Sequence, residues 1–103
     1  METLRRLLEE RFGKGMNATI GRIIVSGNMW DEAMELVSDA DAQVAFRAAW
    51  ALQWAMEHAG RPLTDYSCHI VGTFLSSQNG SVQRIYSKLL LEVMRKTNFD
   101  DIT

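Results

Sequence analysis

The residues of this 103-residue chain most suited to metal binding or catalysis are two histidines and one cysteine: His58, Cys68 and His69. Imidazole nitrogen and thiolate sulfur are the ligands that structural zinc takes in proteins. Cys68 and His69 are consecutive, however, and consecutive residues on a helix point in different directions. No carboxylate cluster accompanies them, and no basic residue stands beside Cys68 to stabilise a thiolate nucleophile. The pattern predicts no metal, no cofactor and no enzyme, and Cys68 is expected to be an inert packing residue.

A glycine-rich segment, Gly13-Lys-Gly-Met-Asn-Ala18, spells the G-x-G-x-x-A pattern of dinucleotide-binding loops. In those proteins the loop follows a strand and opens a helix over a pyrophosphate. Here it follows a charged helical segment, and no strand pattern precedes or follows it. The spacing therefore favours the end of a helix and a turn.

Aromatic and cationic residues recur in the middle of the chain. Trp50 and Trp54 are one helical turn apart, and Arg47 precedes Trp50 by three residues. The three could form an exposed aromatic platform on which a guanidinium stacks. Tryptophan is highly buried on average, so a core position is favoured for both rings. The simplest role for Arg47 is as a structural partner of Asp41.

The stretch that must position these side chains runs over residues 39–60 and is apolar nearly all round, with Val44, Ala48 and Leu52 on one face. Such a helix has to be covered on several sides, which predicts that it is the central buried element. Amphipathic stretches on both sides of it predict five more helices, and no segment alternates as a strand would. The predicted helices cover residues 3–12, 16–26, 28–37, 41–58, 62–77 and 79–96, and residues 97–103 are expected to be a frayed tail.

Caps and apolar stripes give these helices their expected ends and orientations. Asn28 is placed to cap the third helix, with Asp31 in a position like that of a capping box. Pro62 is placed in the first turn of the fifth helix, where it loses no needed hydrogen bond. The fifth helix carries the apolar residues Leu63, Tyr66, Ile70, Val71, Phe74 and Leu75. Those of the sixth helix are expected to point inward: Val82, Ile85, Tyr86, Leu89, Leu90, Val93 and Met94.

Composition and charge are those of an ordinary globular domain. Hydrophobic residues make up 47% and charged residues 23% of the chain, which is ordinary for a soluble globular protein. The length predicts one domain over residues 1–103, and the lack of alternating runs predicts that it is all-α. The net charge of −2 gives no general attraction to nucleic acid. Residues 31–65 carry two basic and seven acidic side chains, between mildly basic ends. This acidic middle is interpreted as solvated helix faces.

The first twelve residues, METLRRLLEERF, are charged at every turn and lack the apolar core of a signal peptide. No run approaches the roughly 18 apolar residues that a membrane span needs. A single cysteine suits a reducing compartment. The sequence therefore predicts a cytoplasmic protein without a membrane partner.

A repeat with an offset of 38 residues is visible in the second half of the chain. Its matching positions are Asp41 with Asn79, Val44 with Val82, and Leu36 and Val37 with Phe74 and Leu75. The offset is close to the period of about 40 residues that is typical of helix-pair solenoids.

The segment 41–49, Asp-Ala-Gln-Val-Ala-Phe-Arg-Ala-Ala, resembles the inter-helix signature of HEAT repeats. The second copy keeps Val82, has Asn79 for the aspartate, and has Ile85 at the arginine position. The resemblance implies repeats over 28–60 and 61–96, a remnant over 16–26, and an Asp–Arg ladder for the first copy alone. It also extends to small bacterial HEAT-like proteins of unassigned role.

The resemblance implies a short right-handed α-α superhelix of about six helices in antiparallel pairs. Periodicity alone would fit a bundle of four to six helices equally well. A further implication is a non-enzymatic protein-interaction or scaffolding module whose concave surface is lined by second helices. The candidate partner-binding residues on these helices are Gln43, Arg47, Trp54, His58, Arg84, Lys88 and Arg95.

The partner itself is not identified by the sequence. A homo-oligomer is a further hypothesis, because about three repeats are usually needed for stability and only two and a half are visible. The alternative function is a nucleic-acid-binding protein related to the HEAT-like DNA glycosylases that excise alkylated bases. Part of such a cleft could be imitated by Arg47, Trp50, Trp54, Arg84 and Lys88. The net charge of −2 and the lack of a dense basic stripe make nucleic acid the less favoured partner.

Overall fold

The computed structural model describes residues 3–10 and 13–102, and in that part of the chain all regular structure is helical. Six α-helices follow one another there, and a short 3₁₀-helix, Leu63–Tyr66, precedes the fifth. The predicted all-α fold of about six helices is confirmed. The α-helices are α1 Thr3–Glu9, α2 Met16–Ser26, α3 Trp30–Leu36, α4 Ala42–His58, α5 Ser67–Ser76 and α6 Gly80–Ile102.

The helices form two layers. The second helices of successive pairs, α2, α4 and α6, make one layer, in which α4 contacts both of the others. The first helices form the other layer: α3 packs on α4, α5 packs on α6, and α1 contacts α3 and α4. Each pair thus packs on its neighbour, as in a solenoid.

The buried face of α4 is the centre of this arrangement, as the sequence predicts. Its buried residues are Val44, Ala45, Ala48, Ala49, Ala51, Leu52, Ala55 and Met56. Five of these are alanines, and such small side chains let neighbouring helices approach closely. The opposite side of α4 is open, however, because Gln43, Glu57 and His58 are exposed. The helix is nevertheless covered on several sides, by α1, α2, α3 and α6, as expected.

Helix α2 approaches α4 closely through Gly21. A Cβ atom at this position would lie 2.5 Å from Trp54 Cε3 and 3.1 Å from the carbonyl oxygen of Ala51. These distances are shorter than van der Waals contact, so α2 can lie this close to α4 only because residue 21 has no side chain.

The 38-residue repeat is visible in the hydrogen bonds that begin α4 and α6. Asp41 Oδ1 accepts from the amides two and three residues ahead, at 2.9 and 3.3 Å, and Asn79 Oδ1 does the same at 2.9 and 3.3 Å. A side chain two residues before each cap accepts from the amide of the capping residue. Asp39 Oδ2 accepts from the Asp41 amide at 2.9 Å, and Ser77 Oγ accepts from the Asn79 amide at 3.1 Å. Both second helices therefore begin with the same N-cap geometry.

Several boundaries differ from the prediction. Asn28 does not cap α3, since it has a φ of 52° and the cap residue Met29 makes no side-chain hydrogen bond. The Met29 amide donates to the carbonyl of Ile24 at 2.9 Å, so this turn completes α2 and does not open α3. Pro62 immediately precedes the 3₁₀-helix and is not in the first turn of α5.

The ends of α1 and α6 also differ from the prediction. The first helix ends at Glu9, and Phe12, which was assigned to it, lies outside the described residues. In contrast, α6 continues to Ile102, past the predicted end at residue 96, so its backbone is helical where a frayed tail is expected.

The last helix pair leaves apolar side chains in solvent. Val71 and Leu75 on α5 are 38% and 74% exposed, and Leu91 and Met94 on α6 are 60% and 46% exposed. The expectation that Met94 points inward is therefore wrong. The preceding helix pairs cover only the other sides of α5 and α6.

Candidate protein-interaction surface

The outward side chains of α2, α4 and α6 form a surface that we call the second-helix face. All seven sequence-predicted site residues belong to its two larger helices, α4 and α6. Five of them are exposed: Gln43, His58, Arg84, Lys88 and Arg95. Arg47 and Trp54 are half-buried.

Arg47 is anchored to the first helix. Its Nη1 atom donates to the carbonyl oxygens of Leu8 and Glu10, at 2.8 and 3.0 Å. A cation at this position compensates the negative end of the α1 dipole. Arg47 therefore joins α1 to α4, a structural contact that the sequence did not predict. Asp41, its expected partner, caps α4.

Trp54 is the centre of a stacked cluster on α4. Its ring lies 4.0 Å from that of His58, centroid to centroid, with an angle of 12° between the planes. The guanidinium carbon of Arg22 on α2 lies 5.6 Å from the indole centroid, within cation–π range. His58 Nδ1 also donates to the Trp54 carbonyl at 2.8 Å, near the end of the helix. Trp54 is therefore a packing residue with an open edge and not a fully buried core residue.

A second stacked pair lies two turns earlier along α4. The rings of Phe46 and Trp50 are 5.7 Å apart with an angle of 23° between their planes, and both are half-buried against the core. Trp50 packs against the core, where the sequence favours its ring, but the ring is only half-buried. An aromatic row therefore lies along the outer side of α4 and consists of Phe46, Trp50, Trp54 and His58.

Three cations follow one side of α6. Arg84, Lys88 and Arg95 are four and seven residues apart, a spacing that brings them to the same side of a helix. Arg95 Nη1 lies 3.6 Å from Glu92 Oε1, but 66% of the Arg95 side chain is still exposed. Such an exposed pair contributes little to stability, so the guanidinium remains available to a partner.

A groove of about 410 Å³ separates the second half of α4 from α6. Met56, Leu63 and Leu89 provide its apolar atoms, and its charged and polar lining residues are Gln53, Glu57, Arg61, Lys88, Glu92 and Lys96. Only Lys88 was among the sequence-predicted site residues. The alternation of Lys88, Glu92 and Lys96 at four-residue spacing is the signal that could have indicated this edge.

Another hollow, of about 590 Å³, lies between the turns that precede α4 and α6. Asp39 and Asn79 are among its lining residues, and both already accept hydrogen bonds from backbone amides. Asp39 also pairs with Arg5, and the hydrogen bond from this guanidinium lowers the pKa of the Asp39 carboxyl. The polar side chains of Asp39 and Asn79 are therefore already hydrogen bonded within the turns that they stabilise.

Two further titratable groups with a shifted pKa, His69 and Tyr86, lie between α5 and α6. His69 Nε2 is hydrogen bonded to the hydroxyl of Tyr86 at 2.6 Å, and His69 Nδ1 to the hydroxyl of Thr73 at 3.3 Å. Burial lowers the pKa of His69 and raises the pKa of Tyr86. Cys68 is exposed, so its expected role as a packing residue is wrong. No three His, Cys, Asp or Glu residues are placed to share a metal ion within residues 3–10 and 13–102.

The stacked helix pairs and their repeated caps define a class of helical-repeat protein, and comparison with known families agrees. The family model described as a HEAT repeat domain matches residues 4–102. The chain belongs to the HEAT repeat domain family, which confirms the resemblance drawn from residues 41–49. Comparisons with curated proteins and with solved structures find no match. Within the described part of the chain, no helix has the length and apolar character that crossing a bilayer requires.

Proposed function

We propose that this chain is a non-enzymatic protein-interaction module and that its partner binds across the second-helix face. The observation that carries the proposal is the side-by-side arrangement of α2, α4 and α6, whose outward side chains include tryptophan and arginine. These residue types are enriched where proteins bind one another. Membership of the HEAT repeat domain family supports the same general role.

The contacts of the candidate residues divide them into two groups. Arg47 bonds to the end of α1, and Trp54 packs on Gly21, so both shape the surface from within the fold. Arg84 and Lys88 are exposed on α6, where they can contact a partner directly. Gln43, His58 and Arg95 complete the direct-contact group.

Nucleic acid is the less well supported partner. A protein that follows a phosphate backbone neutralises several successive phosphates with lysine and arginine. On the second-helix face, Glu57 and Glu92 line the same groove as Lys88 and Lys96. Two carboxylates among these cations weaken the attraction for a polyanion.

The proposal is tested with variants of a partner-binding reaction. The tagged chain is used to capture partners from its native source, and the affinity of a purified partner is then measured. Arg84→Glu combined with Lys88→Glu should weaken binding by roughly tenfold or more. The matched control is Arg6→Glu with Lys14→Glu, two exposed residues at the other end of the array, which should change affinity less than about twofold. Equal losses in both variants, or none, would refute binding at this face.

A further inference from the structure

The outer side of α6 is amphipathic although it lies in solvent. Leu91 and Met94 are 60% and 46% exposed. The exposed cations Arg84, Lys88 and Arg95 lie beside them. Large exposed apolar side chains that are grouped and rimmed by charge mark interaction sites more often than scattered ones do.

Helical spacing fixes how these groups are arranged. Lys88 and Leu91 are three residues apart, and Leu91 and Arg95 four, so they are neighbours on the helix surface. Met94 is three residues from Leu91, on the side away from the cations. From Arg84 to Arg95 the strip extends about 16 Å at about 1.5 Å per residue. This length equals about three turns of a helix laid alongside α6.

We infer that the segment bound along α6 is an acidic amphipathic helix of another protein, with its apolar stripe on Leu91 and Met94 and its carboxylates on Arg84, Lys88 and Arg95. This inference rests on the proposed function and names the chemistry of the partner. Helix-in-groove recognition uses the same combination of apolar anchors and flanking charges.

Charge is sorted between the two layers in a way that favours an acidic partner. Up to residue 96, α2, α4 and α6 carry six basic and two acidic residues, whereas the whole chain has a net charge of −2. The last turn of α6 adds Asp100 and Asp101. In the other layer, α1 carries two basic residues and one acidic residue, α3 carries three acidic residues, and α5 carries none of either, which gives this layer a net charge of −2. An acidic segment is therefore attracted to the layer of second helices and repelled by the opposite side.

Other occupants fit these groups less well. A nucleic acid would gain nothing from Leu91 and Met94, which offer no contact to phosphate. A membrane surface is bound most strongly by larger apolar faces that include tryptophan or phenylalanine. A second copy would have to offer its own acidic helix α3, but Ala33 and Leu36 of that helix are already buried.

The inference is tested with synthetic helices. The probe is a labelled alanine-based peptide with leucines on one stripe and glutamates on the flank that faces the cations. Its matched controls have glutamine or lysine in place of every glutamate. Fluorescence anisotropy at low and physiological salt gives the affinity for the wild-type chain, for Arg84→Glu with Lys88→Glu, and for Leu91→Ser with Met94→Ser. Anionic vesicles and duplex DNA are titrated in parallel, and the helicity of each variant is checked by circular dichroism.

We expect the glutamate peptide to bind roughly tenfold more tightly than the glutamine peptide and to lose affinity with salt. Leu91→Ser with Met94→Ser should weaken the binding of the glutamate peptide by a similar factor. Arg84→Glu with Lys88→Glu should lose binding of the glutamate peptide and gain binding of the lysine peptide. A misfolded variant would not gain binding, so this result excludes misfolding as the cause. Equal binding of the glutamate and glutamine peptides, or a preference for vesicles or DNA, would overturn the inference. If a captured protein requires Arg84 and Lys88 but has no acidic helix, the inference fails while the proposed function stands.

Discussion

At the scale of single residues, two side chains of different charge have the same role. Asp41 and Asn79 each accept two backbone hydrogen bonds at the start of a second helix. Asn79 differs because its Nδ2 atom also donates to the carbonyl of Ala42 at 3.0 Å. This bond joins the cap of α6 to the first turn of α4. It is a direct contact between two neighbouring helix pairs that an aspartate could not make.

Replacing Asn79 should therefore lower the free energy of unfolding by more than the loss of a helix cap alone would. We expect Asn79→Ala to lower the free energy of unfolding by about 1–2 kcal/mol, and Asn79→Asp, which keeps the acceptor, to lower it less. Gln78→Ala is the control, because Gln78 is exposed in the same turn, and its effect should stay within about 0.5 kcal/mol. Urea unfolding followed by helicity gives the three values. A loss for Gln78→Ala as large as that for Asn79→Ala would show that the cap is not the cause.

His69 gives the fold a dependence on pH. Burial holds the pKa of His69 in the folded state below its ordinary value of 6.5. As the pH falls below about 6.5, the unfolded chain takes up a proton that the folded chain does not, so the free energy of unfolding decreases. The loss continues until the pH reaches the lowered pKa of the folded state.

Replacing His69 tests this dependence. His69→Gln should flatten the decrease in stability below about pH 6.5, because glutamine takes up no proton in either state. Urea midpoints measured across this range decide the matter. If the decrease persists without His69, another group is responsible.

At the scale of helices, the crossing of α2 over α4 depends on a missing side chain. Glycine inside a helix is normally unfavourable by about 1 kcal/mol relative to alanine. At Gly21 this cost is offset, because any Cβ would collide with Trp54 and the backbone of Ala51. Gly72, inside α5, has no atom within 4 Å of its Cβ position and gains no such contact.

Alanine at the two glycines should therefore have opposite effects. Gly21→Ala should destabilise the chain by about 1–3 kcal/mol through overpacking, and Gly72→Ala should stabilise it by up to about 1 kcal/mol. Thermal and urea unfolding of the two variants provide the comparison. Stabilisation by Gly21→Ala would mean that α2 does not approach α4 as closely as described.

Helix positions were largely predictable from the sequence because they depend on local spacing. Val44 and Val82 match at the repeat offset, and both are buried. The start of α3 was not predictable, because Asn28 could cap a helix or adopt the left-handed turn that ends α2. The contact of Arg47 with α1 was also missed. It depends on where a distant helix ends, which periodicity does not specify.

At the scale of the whole molecule, the layer of second helices is more basic than the layer of first helices. The net charge of −2 conceals this difference, because the acidic residues of α3 cancel the cations of α6. The sequence could supply the candidate residues on α4 and α6, since those follow from helical spacing. It could not supply the groove between these helices or the exposure of Leu91 and Met94, which depend on packing and on which sides of α6 neighbours cover.

Site-specific photocross-linking in the native source tests most directly whether the second-helix face is the binding surface. A photoreactive residue is placed at Gln43 or Lys88 on this face, and at Glu35, which is exposed on α3. The proposed function predicts that positions 43 and 88 capture the same protein, that position 35 does not, and that Arg84→Glu abolishes the adduct at position 43. Capture from position 35 alone, or equally from all three positions, would contradict it.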